Sequence, residues 1–309
     1  ELALMLGNPT LTETDTLGIQ AELRSLKEEA VSLANSAAPT GEALFGGTSA
    51  GAKAFSIAAD GTVTYEGTDT ARRLQLGEGR PLTVSTPGDA LFQAIPDLNP
   101  LRATAGDGNS GTAVFEVPEI TDDVAYSGAA LPLSVTFNGD GTAAVTDSAT
   151  PPVTSTVALS DQSLTVAGVT VDFSGTPAAG DTLTLAAPED RSLFSLYDAV
   201  LAAAEAPRTT AADRAAFENQ LRDAQDGLEA AEVQFNGARG SVGARLAALN
   251  SERTVQESTR LELEAQRSAI DDLDYTAAIT EFQQQLTALQ AAQSAFSRLS
   301  DLSLFNFLR

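Results

Sequence analysis

From Asp213 onward the chain repeats apolar residues at alternating steps of four and three: Phe217, Leu221, Ala224, Leu228, Ala231, Phe235, Ala238 and Val242. That spacing keeps one apolar seam on one side of a helix, and it is the seam of a coiled coil rather than of an ordinary surface helix. After a polar, charged interval the seam resumes at Tyr275, Ile279, Phe282, Leu286 and Leu289, then at Phe296, Leu299 and Leu302. The sequence closes on Leu302, Leu304, Phe305, Phe307 and Leu308. A terminus in water normally frays, so an apolar end of this kind demands a partner. The residues expected at an assembly interface are therefore Ile279, Phe282, Leu286, Leu289, Phe296, Leu299, Leu302, Leu304, Phe305 and Phe307.

A second helix of the same type is expected near the start. Thr12–Asp15 offers capping residues, and Ile19, Leu23, Leu26, Ala30, Leu33 and Ala37 again step by four and three until Pro39 and Gly41 end the helix. From about Ala43 to Ala187 helical periodicity disappears. Short runs rich in Val, Thr, Phe and Tyr predict strands at Thr62–Tyr65, Ala113–Val117, Leu133–Phe137, Ala143–Thr146, Val153–Leu159, Ser163–Phe173 and Asp181–Ala186. Asn138-Gly139-Asp140-Gly141 and Asp60-Gly61 mark hairpins, because these residues tolerate positive φ. Leu91, Phe92 and Ile95, after Pro87-Gly88-Asp89, predict one short helix. Helical character returns at Ser192 with the face Leu193, Leu196, Tyr197, Val200 and Leu201, which Pro207 terminates.

The expected fold is α+β: an elongated coiled-coil helical bundle built from both chain ends, with an antiparallel all-β domain inserted. Two helical faces so far apart in sequence can bury each other, whereas neither is stable alone. The expected division is 1–42 for a core helix, 43–189 for a β-rich outer domain, 190–272 for further bundle helices and 273–309 for a terminal coiled-coil helix.

Charge and missing residue types narrow the function. The 18 basic and 42 acidic side chains give a net charge of -24, and no lysine or arginine occurs between Arg102 and Arg191. Nucleic acid and anionic lipid both reward basic patches, so neither is an expected partner. Histidine and cysteine are absent, which removes disulfides, thiolate nucleophiles, imidazole bases and the usual zinc sites. No catalytic residue, cofactor or metal is expected, and the chain reads as no enzyme.

The carboxylates of Asp271, Asp272 and Asp274 read as favourable charges at the start of a helix from Tyr275 rather than as a metal or acid–base site. Ser268 with Asp271 reads as a capping-box-like pair. Asp107-Gly108-Asn109 and Asn138–Asp140 lack the run of oxygen ligands, closed by a glutamate, that holds calcium in an EF-hand. Gly46-Gly47 and Gly77-Glu78-Gly79 match no phosphate loop and read as turns. No apolar run is long enough to span a membrane, and no signal-peptide pattern opens the sequence.

The stretch from Ser268 to Ile279, the glutamines Gln283–Gln285 and the ending Leu302-Ser303-Leu304-Phe305-Asn306-Phe307-Leu308-Arg309 resemble the carboxyl end of the flagellin superfamily. More narrowly the chain is similar to the hook-associated protein 3 family, the hook–filament junction proteins, whose ending carries two aromatics that flagellin proper lacks. Leu33-Ala34-Asn35 with Gly41-Glu42-Ala43-Leu44-Phe45-Gly46-Gly47 resembles that family's passage from core helix to outer domain. Tyr65-Glu66-Gly67, the run from Pro87 to Phe92, and Gly175-Thr176-Pro177 leading to Gly180-Asp181 fit it too.

The resemblance implies a structural subunit of the bacterial flagellum, an adaptor between the first hook-associated protein and flagellin. It implies self-assembly into a ring or tube through terminal coiled coils, with the β domain outward. It also implies an extracellular site reached through the flagellar secretion channel without a cleaved signal peptide, and a cytoplasmic export chaperone that covers the terminal seam beforehand. Members pair a long amino-terminal heptad segment with the terminal helix; none follows Glu1, so the seam is expected to find it ahead of Glu1 or in another chain. The rival readings are a flagellin filament subunit and a secreted ligand-binding or adhesin module.

Overall fold

The computed structural model describes residues 1–301 except 9, 50, 52, 77–80 and 272–273, and leaves residues 302–309 undescribed. Two compact units emerge, residues 1–245 and residues 246–309.

The first unit begins with helix α1 (Leu2–Leu6) and helix α2 (Glu13–Ala34). A capping box starts α2: the Asp15 amide donates to the Thr12 hydroxyl, and the Thr12 amide donates to the Asp15 carboxylate at 3.0 Å. The buried face of α2 is Ile19, Gln20, Leu23, Val31 and Ala34. The expected seam is buried at Ile19 and Leu23 and half-buried at Leu26 and Ala30, and then it shifts: Leu33 and Ala37 lie exposed, and Val31 and Ala34 point inward instead. The helix also stops at Asn35, ahead of Pro39. The Asn35 side chain accepts from the amides of Ala54 (2.9 Å) and Phe55 (2.8 Å) and donates to the Phe55 carbonyl (3.0 Å), so the helix end is tied to the first strand.

That strand, β1 (Phe55–Ile57), pairs with β2 (Val63–Tyr65) through the turn that Asp60-Gly61 forms, Gly61 having φ 84°. A second two-stranded ribbon joins β3 (Arg73–Gln75) to β4 (Pro81–Thr83). The short helix expected around Leu91 is a single wide turn over Asp89–Gln93.

Residues 102–186 form a sandwich of two antiparallel sheets. Its strands are β5 (Arg102–Ala105), β6 (Val114–Phe115), β7 (Glu119–Ile120), β8 (Leu133–Phe137), β9 (Thr142–Thr146), β10 (Thr154–Ala158), β11 (Ser163–Val166), β12 (Val169–Ser174) and β13 (Thr182–Ala186), with helix α3 (Asp123–Ser127) inserted after β7. One sheet runs β10-β9-β8-β13-β5, and in the other β12 pairs with β11, β6 and β7. Alternate residues of β8, β9, β12 and β13 are buried between the sheets, as the period of two dictates. The run Ser163–Phe173, expected as one strand, is a hairpin. Ala167 and Gly168 both take positive φ (48° and 77°) and join β11 to β12 as a two-residue turn. A Cβ on Gly168 would lie 2.2 Å from the Asp122 carbonyl oxygen, so only glycine fits there.

Helix α4 (Leu193–Glu205) follows, with Ser192 capping the Phe194 amide. Helix α5 (Ala211–Asp271) comes next and helix α6 (Tyr275–Asp301) last. Within the first unit α2 packs along α4, as expected for helices from the two ends of the sequence. Three buried clusters hold this unit. Leu6, Ile19, Leu23, Val200, Phe217 and Leu221 join α1, α2, α4 and α5. Phe55, Phe92, Ile95, Phe194 and Ala231 join the first hairpin and the wide turn to the helices, so residues from 43 to 95 share a core with the bundle. The third cluster, around Val135, Phe137, Val171, Phe173 and Leu183, belongs to the sandwich alone.

Candidate assembly interface

The seam expected from Asp213 onward has two fates. On the first part of α5, Phe217, Leu221, Ala224 and Ala231 are buried and Leu228, Phe235 and Ala238 half-buried, while Val242 is already exposed. Close packing there rests on Gly227, whose missing Cβ leaves room for Leu196 of α4 and the Arg191 guanidinium.

The second unit is different. Helix α6 is capped by Asp274, whose carboxylate accepts from the amides of Thr276 (3.0 Å) and Ala277 (3.1 Å). Asp274 thus takes the capping role expected of this acidic run. Ser268 and Asp271 start no helix: both belong to the last turn of α5, which ends at Asp271. Along α6, Ile279, Phe282, Leu286, Leu289, Phe296 and Leu299 are all exposed, Phe282 at 61% and Phe296 at 74%. Steps of three, four and seven set these six residues on one side of the helix, a stripe of large apolar groups facing water. Leu302, Leu304, Phe305 and Phe307 lie outside the described residues. Among the described residues no group of acidic side chains is arranged to hold a metal ion.

A polar joint in the first unit was not expected. Asn219 of α5 donates to the Ala113 carbonyl (2.9 Å) and accepts from the Phe115 amide (2.9 Å), standing where a neighbouring strand would pair with β6. Arg222 donates to the Phe115 carbonyl at 2.7 Å. Asp223 accepts two hydrogen bonds from Arg102 of β5 (2.8 and 2.6 Å) and one from Arg191 (3.3 Å), and Arg191 also reaches Asp97 (3.3 Å). A cavity of about 120 Å3 lies here, lined by Arg102, Arg191, Arg222, Asp223 and Asp226 among others. Burial of Asp226, reinforced by the nearby Asp223 and Asp97 charges, raises its carboxyl above the ordinary range. For Arg102 burial works against the charged form, but the Asp223 pair outweighs it and holds the guanidinium above its usual range.

Residues 225–308 match the model of the bacterial flagellin C-terminal helical region. A search of curated protein sequences returns no match. Among solved structures, FlgL of Xanthomonas campestris superposes with a TM-score of 0.78 at 30% identity, covering 87% of this chain and 86% of that one. The chain belongs to the FlgL family. A second crystal form of the same Xanthomonas protein gives a TM-score of 0.74 at 31% identity, over 82% of this chain and 83% of that one. Flagellar hook associated protein-3 of Legionella pneumophila shares the fold, with a TM-score of 0.75 at 21% identity over 88% and 86% of the two chains.

Membership in the FlgL family makes this a structural protein of the bacterial flagellum, of the hook-associated junction class, and not an enzyme. It also accounts for the α+β plan, with helices at both chain ends and an antiparallel β domain between them. A place at the junction implies association with other flagellar components.

Proposed function

We propose that the chain is the adaptor on which flagellin polymerises: a ring of copies joined to the first hook-associated protein on one side and to flagellin on the other. The apolar stripe on α6 carries this reading. Six large apolar side chains on one exposed helix face make a surface that is stable only when another helix covers it. Burial at roughly 25 cal/mol per Å2 is the driving force, offset by the conformational entropy that the helices lose on assembly. In this reading Ile279, Phe282, Leu286, Leu289, Phe296 and Leu299, with Leu302, Leu304, Phe305 and Phe307 beyond them, form the interface, and the sandwich faces outward. The mate of the seam is a heptad helix supplied on assembly by a neighbouring copy.

The same stripe is a liability before assembly, which fits export through the flagellar channel in an unfolded state. A cytoplasmic chaperone that covers α6 until secretion completes the proposal. Deleting the gene tests it. The expected result is hooks without filaments and full-length flagellin monomers free in the medium. Hooks without filaments and no major flagellin in the medium would make this chain the filament subunit itself. Unchanged filaments would leave a secreted binding module as the better reading.

A further inference from the structure

We propose that the β sandwich is clamped to α5 by a polar latch centred on Asp223, and that it swings about a two-stranded neck when the latch opens. The buried apolar clusters of the sandwich and of the bundle share no residue. Backbone passes between them along two short segments only, residues 96–101 and 187–192. A single bridge brings the two together: the Ile95 amide donates to the Arg191 carbonyl at 3.0 Å, and the Arg191 amide donates back to the Ile95 carbonyl at 2.9 Å. Ile95 is buried in the bundle and Leu101 in the sandwich, so the neck is the few residues between two fixed anchors.

Hydrogen bonds and ion pairs hold the sandwich down on α5. Asn219 pairs with the backbone of β6, Arg222 with the Phe115 carbonyl, and Asp223 with Arg102 of the sandwich and Arg191 of the neck at once. A cavity remains beside these groups, where a rigid interface would be close-packed. Polar interfaces between bodies with separate cores leave relative motion as the default, because each latch group exchanges its partner for water at small net cost. Asp223 is the keystone, since it alone serves both arginines. At a junction between two different neighbours, such a latch lets the outer module fit either one without unfolding.

The test uses the whole chain. It has no cysteine, so Ser25→Cys on α2 and Ser155→Cys on β10, both exposed, place one spin label on each body. Electron–electron distance distributions are then compared with those of the same pair carrying Asn219→Ala or Asp223→Asn, and hydrogen exchange at Val135, Val171 and Leu183 reports the sandwich core. The expected result is a narrow distribution for the parent and a markedly broader one for each variant, with exchange in the sandwich unchanged. Distributions as narrow as the parent's in both variants overturn the latch. So does loss of exchange protection in the sandwich together with docking, which would mean that the two bodies fold as one.

Discussion

Helix α5 near Phe217 and helix α6 near Phe282 carry the same four-and-three apolar pattern, yet one stripe lies in a core and the other in water. Phe217 and Leu221 are buried against Leu6, Ile19, Leu23 and Val200. Phe282 and Phe296 touch no buried cluster among the described residues. A repeat in the sequence says which face of a helix must be covered; it does not say by what. The first stripe finds its cover within the chain; the second stands exposed, and under the proposed function its cover comes with assembly.

Truncation should separate the two stripes most sharply. Leu221→Ala is expected to cost about 2–5 kcal/mol, the usual range for emptying a packed leucine site, whereas Phe296→Ala should stay within about 0.5 kcal/mol of the parent. Denaturant unfolding of both variants checks this, and similar losses in the two would erase the distinction. Gly227→Ala is the opposite probe, adding a methyl where Leu196 and Arg191 already stand. Overpacking there should cost about 1–3 kcal/mol. Asn35→Ala strips three hydrogen bonds from the junction of α2 with β1 and should cost about 1–2 kcal/mol, with faster hydrogen exchange in β1 and β2.

The smallest effect belongs to Asp226. Its carboxyl is raised in the folded state, so the native protein holds a proton there that the unfolded chain releases at lower pH. Stability therefore falls as pH rises from the ordinary carboxylate range through the raised value, and above it the charged carboxylate remains a cost. Asp226→Asn should raise the melting temperature at neutral pH and lose that advantage below the ordinary carboxylate range. A gain that persists in acid would point to packing rather than charge.

Much of the fold was legible because its signals are local. Thr12 with Asp15, Ser192 before α4, and Asn138–Gly141 between β8 and β9 each carry their own geometry. The run from Leu133 to Phe137 is a strand with the expected ends. The misses have physical reasons. Ala167-Gly168 turns a hairpin although alanine rarely takes positive φ, so the hairpin looks like one long strand in the sequence. The inward face of α2 changes after Ala30 because α2 meets only helices around Leu23 but Phe55 and Ala43 as well as Phe194 of α4 around Ala34, and no repeat records an added partner.

The polar joint left one trace that sequence reasoning passed over. Arg102 and Arg191, the two cations that bracket the stretch without lysine or arginine, are the two that meet on Asp223. Their pairing depends on residues 121 and 32 positions away from them, which spacing alone cannot connect. The cover of α6 was illegible for the same reason. An exposed stripe marks the face that a partner would cover, and no repeat in the sequence names that partner.

The most direct test of the account is Phe296→Asp, examined by electron microscopy of flagella together with recovery of the secreted chain from the medium. The account predicts that the variant is secreted, that its first unit melts as the parent does, and that hooks carry no filaments, because a charge in the seam blocks assembly without touching a packed core. Filaments of normal number and length would contradict it and leave the α6 stripe without an assembly role.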